Sequence, residues 1–363
     1  MSVLVAKLGT STLVDDAGTV REDVLEARVR EIVRVRRQGH RPVLVSSGAR
    51  ARGMRVLGSP GRAATLADLQ AASAVGQGLL FARYAQAFAA HGVTPAQVLL
   101  TSPDLERRSS YVNARTTLGR LLDLGCVPVI NENDTTATDG LTFGDNDVLA
   151  AQVAILLRAA WLVLLTDREG LYASGPDGPR LIGDVPPGAR PTDIELAPLE
   201  AGSPGRGGVA SKVASATMAT AAGITCVVAS GEAEGVITAV AHGQHVGTRF
   251  QPAPRAESAF KLWLRHAKPT MGTVRVDAGA AEALERRGTS LLAVGVVSCE
   301  GGFAAGDAVE VRAADGGRLV GKGIAGVSAD ELRQIAGLKS REVRRRLPEA
   351  AAEVVHRDQF VLA

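Results

Sequence analysis

Residues 127–134 read Val127-Pro128-Val129-Ile130-Asn131-Glu132-Asn133-Asp134, and residues 144–147 read Gly144-Asp145-Asn146-Asp147. The apolar half of the first stretch has the β-branched composition of a buried strand, and its polar half follows where that strand ends. The second stretch leads directly into an apolar pattern over residues 147–158 that predicts a helix. Ligands of open α/β sheets bind at the carboxyl ends of strands, so this junction predicts a binding site.

The alternation of strand and helix extends outward from this junction over residues 1–250. Strands that alternate with helices indicate βαβ units. Continuous runs of Val, Leu and Ile are typical of parallel strands that are covered on both faces. Strands are predicted at 3–8, 42–46, 97–100, 127–130, 161–166 and 225–229, and helices at 21–37, 64–90, 113–124, 147–158 and 211–222.

The pattern changes after residue 250. A proline-containing stretch holds one short predicted helix, and short strands with glycine-rich turns follow it. Those strands are predicted at 272–276, 294–299, 308–312 and 319–324. We therefore predict an α/β domain over residues 1–250, a linker over 251–269 and a small β-rich domain over 270–363, sizes that a chain of 363 residues accommodates.

Composition and charge argue against several classes of function. The net charge of +3 is small for a nucleic-acid binder, and residues 270–363 carry 13 basic and 13 acidic side chains, which cancel. No run of about 18 apolar residues occurs, so we predict no membrane span. The widely spaced Cys126, Cys226 and Cys299 form no metal or redox motif, which favours a cytoplasmic protein with thiols in its core. The strand pattern that begins at Val3 leads us to expect no secretory signal.

Two lysines accompany glycine-containing segments. Lys7 ends the first predicted strand and precedes Gly9, Thr10 and Ser11, an arrangement that surrounds phosphate oxygens with an ammonium and backbone N–H groups. The alternative for Lys7 is a surface lysine at a strand end. Residues 205–212 form a glycine-rich loop that leads into a helix at Lys212, and such a loop is a second anion-binding device.

The remaining polar segments admit two interpretations each. Residues 46–49 and 166–167 follow predicted strands, where they either contact a ligand or form plain turns. The acid and amide clusters at 131–134 and 144–147 are suited to binding a substrate amine, orienting a lysine or holding Mg²⁺ through water. A helix cap and an Asx turn would explain one aspartate in each cluster, but not all eight residues.

Several other patterns are set aside. The G-x-G-x-x-A match at 205–210 follows a loop instead of a strand, which argues against a dinucleotide-binding fold. The G-x-G-x-x-G match at 321–326 lies among predicted strands, so we interpret it as structural. The six histidines form no ligand cluster, no protein-bound metal is predicted, and no G-x-S-x-G elbow supports acyl transfer. Two lysines, glycine-rich backbone donors and Mg²⁺ together suit phosphoryl transfer, which needs positioning and charge neutralisation.

With these motifs the chain resembles the amino acid kinase family, followed by a PUA domain. The segments that carry the resemblance occur in family order at 5–11, 46–49, 127–134, 144–147, 164–167 and 207–212. The resemblance implies a three-layer αβα fold with a mostly parallel central sheet, and a small β-rich PUA barrel. The paired clusters at 131–134 and 144–147 are similar to those of members acting on L-glutamate, and differ from kinases of acetylglutamate, carbamate, aspartate or UMP.

The resemblance also implies an activity and its partners. It implies ATP-dependent phosphorylation of the γ-carboxylate of L-glutamate to L-glutamyl 5-phosphate, the first step of proline biosynthesis. Mg²⁺ would bridge the phosphates of ATP. L-proline would inhibit at a site overlapping that for glutamate, and the chain would form a homo-oligomer, a dimer or a tetramer.

The same resemblance implies roles for individual residues. Lys7 and Lys212 would stabilise the transferring phosphoryl group, and Asp147 would hold the two lysines in place. Glutamate would be bound by Ser47, Asp134 and Asn146. ATP would be bound by Lys7, Thr166, Asp167, Arg206, Gly207, Gly208, Val209, Ala210, Ser211 and Lys212. The role of Asp145 stays open between a helix cap and orientation of a lysine or a metal.

The chain departs from the family's pattern at three arginines. Arg50 and Arg52 replace apolar or small residues after the second strand, and Arg206 replaces a threonine in the nucleotide loop.

Two other functions are kept as alternatives: an RNA-binding PUA protein with a scaffold kinase-like domain, and a kinase of another small carboxylate. The arginines at 341 and 344–346 are the one basic cluster of the second domain, and we interpret them as a solvated helix face.

Overall fold

A computed structural model of the chain describes residues 1–15, 17–58, 65–136, 146–176, 178–189, 194, 196, 208–254, 256, 259–266, 268–348, 351 and 353–363. The chain divides into two units, Met1–Glu257 and Ser258–Ala363. Among the described residues, no helix is long and apolar enough to cross a membrane.

The first unit is built around an eight-stranded sheet. Its strands are β1 (Val3–Leu8), β2 (Arg41–Ser46), β3 (Pro95–Leu100), β4 (Val127–Glu132), β5 (Trp161–Thr166), β8 (Asp184–Val185), β9 (Thr225–Ser230) and β10 (Thr248–Phe250), and β6 (Tyr172–Ala173) and β7 (Arg180–Leu181) form a separate hairpin. The strand order is β3-β4-β2-β1-β5-β9-β10-β8. All neighbours from β3 to β9 are parallel, and β10 runs antiparallel to β9.

Helices connect the strands and cover the sheet. They are α1 (Thr10–Leu13), α2 (Glu22–Arg37), α3 (Ala49–Val56), α4 (Leu66–Ala89), α5 (Ser102–Glu106), α6 (Arg108–Asp123), α7 (Asn146–Leu157), α8 (Val209–Ala221) and α9 (Val236–Ala241). The central strands are buried almost completely, as their continuous apolar composition predicts. The predicted α/β class with a mostly parallel sheet is therefore confirmed.

Several elements of the first unit were not predicted, and α3 is the most consequential. Its sequence carries Arg50, Arg52 and Arg55, so it shows no apolar stripe of the kind that identifies a helix. The helix is held instead by a close crossing with α4. A Cβ added at Gly53 would overlap the backbone of Ala72, and one added at Gly76 would overlap the backbone of Ala49. Glycine is required at this crossing because only hydrogen fits between the two backbones.

Strand β4 extends two residues beyond its prediction, to Glu132. Asn131 is therefore a strand residue with a buried side chain, and not part of a surface turn. The apolar run ends at Ile130, so the hydrophobic pattern by itself marked the end of the strand too early. Pairing with β3 continues through Leu99–Asn131 and Leu100–Glu132, which supplies the backbone hydrogen bonds for the extension.

The second unit contains a five-stranded mixed sheet in the order β12-β11-β13-β14-β15 and helices on its flanks. Its elements are α10 (Ala259–His266), β11 (Thr270–Val276), α11 (Ala278–Arg287), β12 (Val296–Gly301), β13 (Ala308–Ala313), β14 (Leu319–Ala325), α12 (Ala329–Ile335), α13 (Ser340–Arg346) and β15 (Val355–Leu362). The β-rich character was predicted and is confirmed, whereas β15, α11 and α12 were not predicted. Gly321 and Gly323 of the second G-x-G-x-x-G match lie within β14.

Candidate active site

The polar motifs of the first unit meet at one edge of the sheet. Strands β4, β2, β1, β5 and β9 are consecutive neighbours and parallel, so their carboxyl ends lie side by side. Lys7 lies near the end of β1, Ser47 follows β2, Asn131 lies near the end of β4 and Thr166 ends β5. A parallel sheet thus collects residues that are far apart in the sequence.

An open cleft of about 330 Å³ occupies this edge. It is lined by Lys7, Gly9, Thr10, Ser11, Ser47, Gly48, Ala49, Arg50, Ala51, Met54, Leu69, Asn131, Glu132, Asp134, Asn146 and Lys212. Both predicted phosphoryl-handling lysines and all three predicted glutamate-binding residues are in this set. The structure therefore brings these five residues into one cleft, and their roles stay predictions.

One wall of the cleft contains a buried ion triad. The ammonium of Lys7 lies 2.6 Å from Oδ1 of Asp147, and the ammonium of Lys212 lies 3.0 Å from Oδ2 of the same carboxylate. Asp147 is fully buried, and the two lysines are 5% and 8% exposed. Asp147 is in the first turn of α7, and Lys212 is near the start of α8. The carboxylate thus holds one lysine from each end of the unit's sequence at a fixed separation.

Opposite effects act on the pKa of Asp147. Burial acts to raise the pKa, but the positive charges of Lys7 and Lys212 outweigh burial and lower it below its ordinary value. The carboxylate is therefore ionised at neutral pH and pairs with both ammonium groups. Buried charges are retained only when they are paired in this way.

A second wall of the cleft, the amide wall, is built from neutral amide side chains. The side-chain nitrogen of Asn146 donates toward the carbonyl oxygen of Ser46 (3.0 Å), the hydroxyl of Ser47 (2.8 Å) and Oδ1 of Asn131 (2.9 Å). The side-chain nitrogen of Asn131 in turn donates to Oε1 of Gln77 on α4, at 2.6 Å. These contacts fix the orientation of the side chains that line this part of the cleft.

Asp134 lies beside these amides, in the turn after β4. Burial raises the pKa of its carboxyl, and the Ser73 hydroxyl and the Arg50 guanidinium counteract only part of that rise. A half-buried carboxylate in such a position gains most from a cationic ligand. A substrate amine, one of the ligands considered for the acid and amide clusters, is of this kind.

Gly48 shapes the floor of the cleft between β2 and α3. Its φ of +97° is left-handed, and a Cβ at this position would lie 2.6 Å from a methyl carbon of Val14. Only glycine fits both conditions. The tight turn exposes the start of α3 to the cleft, where Ala49, Arg50 and Ala51 line it.

The predicted nucleotide residues are only partly within the described chain. Arg206 and Gly207 lie outside the described residues, and so does Asp145. Gly208 precedes α8, and Val209, Ala210 and Ser211 form its first turn together with Lys212. Thr166 and Asp167 lie at the end of β5, where the Thr166 hydroxyl donates to Asp167 at 2.9 Å. Neither residue is in the lining of the 330 Å³ cleft, so the structure does not bring them together with Ser47, Asp134 and Asn146.

Sequence reasoning missed one residue of the cleft lining, Asn131, and one residue behind it, Gln77. Gln77 was included in the predicted helix 64–90 but was given no role, and Asn131 was quoted in a motif but not assigned to the site. Their sequence signals are weak: Gln77 is one of several polar residues of its helix and is distinguished only by the glycines on either side of it. Tyr84, on the same helix, is fully buried and shares a 2.9 Å hydrogen bond with the Ser46 hydroxyl.

Comparison with known proteins agrees with this architecture. The model of the amino acid kinase family matches residues 2–230, and that of the PUA domain matches residues 272–347. The chain belongs to the amino acid kinase family and carries a PUA domain after its kinase domain.

The similar curated proteins include several named glutamate 5-kinase. The protein of that name from Cutibacterium acnes is 44% identical over 373 residues, which cover 100% of this chain and 92% of the relative. That of a Synechococcus species is 42% identical over 365 residues, which cover 99% and 98%. Among solved structures, carbamate kinase from Giardia lamblia bound to AMP-PNP superposes with a TM-score of 0.50 at 18% identity, covering 69% of this chain and 98% of that one, a likeness of fold alone.

Proposed function

We propose that this protein is a glutamate 5-kinase, which transfers the γ-phosphoryl group of ATP to the side-chain carboxylate of L-glutamate as the first step of proline biosynthesis. The observation that carries the proposal is the Lys7–Asp147–Lys212 triad beside an amide-lined pocket. Full-length similarity to proteins of that name supports the choice of substrate.

In this reaction a carboxylate oxygen of glutamate attacks the γ-phosphorus, and the bond from that phosphorus to the β-phosphate oxygen breaks. The products are L-glutamyl 5-phosphate and ADP. No general base is needed, because a glutamate side chain with a pKa of about 4.3 is already ionised at neutral pH. The obstacle is instead the approach of a carboxylate to a polyanion.

The Lys7–Asp147–Lys212 triad reduces this electrostatic repulsion. Two buried ammonium groups that face the cleft neutralise the oxygens of the moving phosphoryl group, and the protein need not reorganise during the reaction. We assign catalytic roles to Lys7 and Lys212. Asp147 is a positioning residue, because its two oxygens are already bound to those lysines.

The amide wall binds the acceptor. We propose that Asp134 receives the substrate ammonium and that Ser47 and Asn146 contact its polar groups. Arg50 adds a cation to the same side of the cleft, and a cation there attracts the substrate's α-carboxylate. A glutamate held at its amino and α-carboxylate groups would then extend its side chain so that the γ-carboxylate faces the lysines.

For the nucleotide we propose Lys7, Thr166, Asp167 and residues 206–212. The start of α8 supplies backbone N–H groups suited to phosphate. Mg²⁺ binds mainly phosphate oxygens and water, so an ion carried by ATP is compatible with a site whose described residues include no cluster of three metal-ligating side chains. When bound, it neutralises phosphate charge, and we assign it no protein ligand.

Proline is the regulator that we propose. It has the amino and α-carboxylate groups of glutamate but no side-chain carboxylate, so it would occupy the amide wall and leave the lysines uncovered. Inhibition would then be competitive with glutamate and not with ATP.

We also propose a homo-oligomer, a dimer or a tetramer, which light scattering of the purified chain would identify.

The direct test is to trap the acyl phosphate. Purified protein is incubated with Mg²⁺, ATP and L-glutamate in the presence of hydroxylamine, and hydroxamate is measured. We expect glutamate-dependent hydroxamate, reduced by proline. If acetylglutamate, aspartate or carbamate supports turnover while glutamate does not, the proposal is wrong.

A further inference from the structure

We propose that Gln77 of α4 is a positioning residue for the acceptor substrate, acting through the amide chain Gln77–Asn131–Asn146. The inference rests on the proposed function, in which Asn146 contacts glutamate. Gln77 does not itself line the cleft. Its effect is therefore indirect, through the orientation of two side chains that do.

Two backbone groups determine which end of each amide faces which neighbour. The carbonyl oxygen of Ser46 can only accept, so the Asn146 atom 3.0 Å from it is the nitrogen. The backbone N–H of Glu132 can only donate, so the Asn131 atom 2.9 Å from it is the oxygen. The nitrogen of Asn131 consequently faces Gln77, and the Gln77 atom at 2.6 Å is an oxygen.

Gln77 is the acceptor that completes this arrangement. The side chain of Asn131 is nearly inaccessible to water, at 3% exposed. Without the Gln77 oxygen, its buried nitrogen would lose this acceptor, which is costly. Rotating the Asn131 amide to recover a partner would turn its nitrogen toward the nitrogen of Asn146 and the N–H of Glu132, placing donors against donors.

The consequence for the substrate follows from Asn146. Its nitrogen is committed to Ser46, Ser47 and Asn131, and its Oδ1 is buried without a hydrogen-bond partner among the described residues. A buried acceptor of this kind is satisfied when a ligand brings a donor, and an ammonium group is a strong one. Gln77 thus helps to keep the Asn146 oxygen available to a donor of the substrate.

The backbone crossing of α3 and α4 explains why this distant helix reaches the site. Gly76 packs directly against the backbone of Ala49, and Gln77 is the next residue along α4. The contact that places Ala49 at the cleft therefore also places Gln77 behind Asn131. The same crossing therefore positions the start of α3 at the cleft and Gln77 behind Asn131.

The test uses the full-length enzyme and steady-state kinetics with glutamate and ATP varied separately. Gln77→Met keeps the length of the side chain but removes the acceptor, and Gln77→Glu keeps the acceptor. Gln86→Met is the matched control, since Gln86 is an exposed glutamine on the same helix. Thermal unfolding of each variant reports the fold.

We expect Gln77→Met to raise the KM for glutamate about ten-fold, the order expected for one unsatisfied buried donor, with kcat and the KM for ATP nearly unchanged. Gln77→Glu should stay close to wild type, and Gln86→Met should match it. The inference is overturned if Gln77→Met leaves the KM for glutamate unchanged or if Gln77→Glu is equally impaired. A lower kcat together with a higher KM for both substrates and a lower Tm would also overturn it, since that pattern indicates general loosening of the fold.

Asn146→Ala separates this inference from the proposed function. If Asn146→Ala does not raise the KM for glutamate, the substrate role of Asn146 is wrong. If it does and Gln77→Met does not, only the role of Gln77 is wrong. When both raise the KM, the double variant should show less than the sum of the two effects in free energy, because both changes act on the same contact.

Discussion

The two walls of the cleft stabilise their buried polar groups in different ways. The wall with the ion triad contains full charges that pair with each other: the Asp147 carboxylate lies between the ammonium groups of Lys7 and Lys212. The amide wall contains neutral amides beside the carboxylate of Asp134, whose burial the Arg50 guanidinium compensates only in part. The pKa of Asp147 is lowered and that of Asp134 is raised, although both aspartates belong to the same site.

The difference teaches which part of the site is complete before substrate binds. The triad is held together by charges of the protein itself, so it is formed before any ligand binds. Asp134 is partly desolvated, and Ser73 and Arg50 offset that burial only in part, so its ionised form costs stability in the empty protein. Substitutions of the two aspartates should therefore change stability with opposite signs.

The largest effect is expected for Asp147→Asn. The change removes the carboxylate that both buried ammonium groups contact, and loss of one member of a buried ion pair costs about 3–5 kcal/mol. Urea denaturation at pH 7 should show this drop in the free energy of unfolding, together with loss of turnover.

The pH dependence of the Asp147 variant has a definite sign. Because the folded pKa of Asp147 lies below its unfolded value of about 3.9, the ionised group stabilises the protein above that pH and ceases to do so as pH falls through the folded pKa. The stability difference between wild type and Asp147→Asn should hence shrink below about pH 4. A difference that stays constant down to pH 3 would contradict the triad as its origin.

The next largest effect is expected for Lys212→Met. Asp147 keeps Lys7 as its partner, so the fold should be retained with little change in Tm. Removing a group that stabilises charge in the transition state typically costs about 10²–10³ in kcat. Hydroxamate formation under saturating substrates measures the loss, and near-normal kcat would remove Lys212 from the mechanism.

Asp134→Asn should weaken binding while it increases stability. A hydrogen bond to a charged group contributes about 1.5–3 kcal/mol, so the KM for glutamate should rise by roughly ten-fold or more. The folded pKa of Asp134 lies above its unfolded value, so stability falls as pH rises between the two, and the charge is a net cost at pH 7. The variant should thus unfold at a higher urea concentration at pH 7, and the gain should disappear at pH 3. A variant less stable than wild type at pH 7 would show that Asp134 has a stabilising partner of its own.

The smallest effect is expected for Arg50→Met, with Arg52→Met as its control. Arg50 lines the cleft and counteracts part of the rise in the pKa of Asp134 that burial causes, whereas Arg52 is on the same short helix and is not part of the lining. Partly exposed ion pairs contribute up to about 1 kcal/mol, so Arg50→Met should raise the KM for glutamate by no more than about five-fold. Equal KM values in the two variants would place Arg50 outside substrate binding.

The fold and much of the site could be predicted because the relevant signals are local. Val3–Leu8 and Trp161–Thr166 were predicted with the bounds that the structure shows, since continuous apolar runs identify buried parallel strands. Lys7 and Thr166 lie at the carboxyl ends of those strands. Helix α3 was missed because it is held by glycines at a helix crossing, and no hydrophobic stripe marks it.

The sequence by itself determined the strand–helix alternation, the positions of the polar motifs and the family to which they belong. Only the tertiary structure decided that Asp147 bridges both lysines, that Asn131 is buried and that Gln77 lies behind it. The physical reason is that the first set depends on residues adjacent in the chain. The second set depends on contacts made across neighbouring strands and at a crossing of two helices, where backbone approach and hydrogen-bond direction determine which side chains meet.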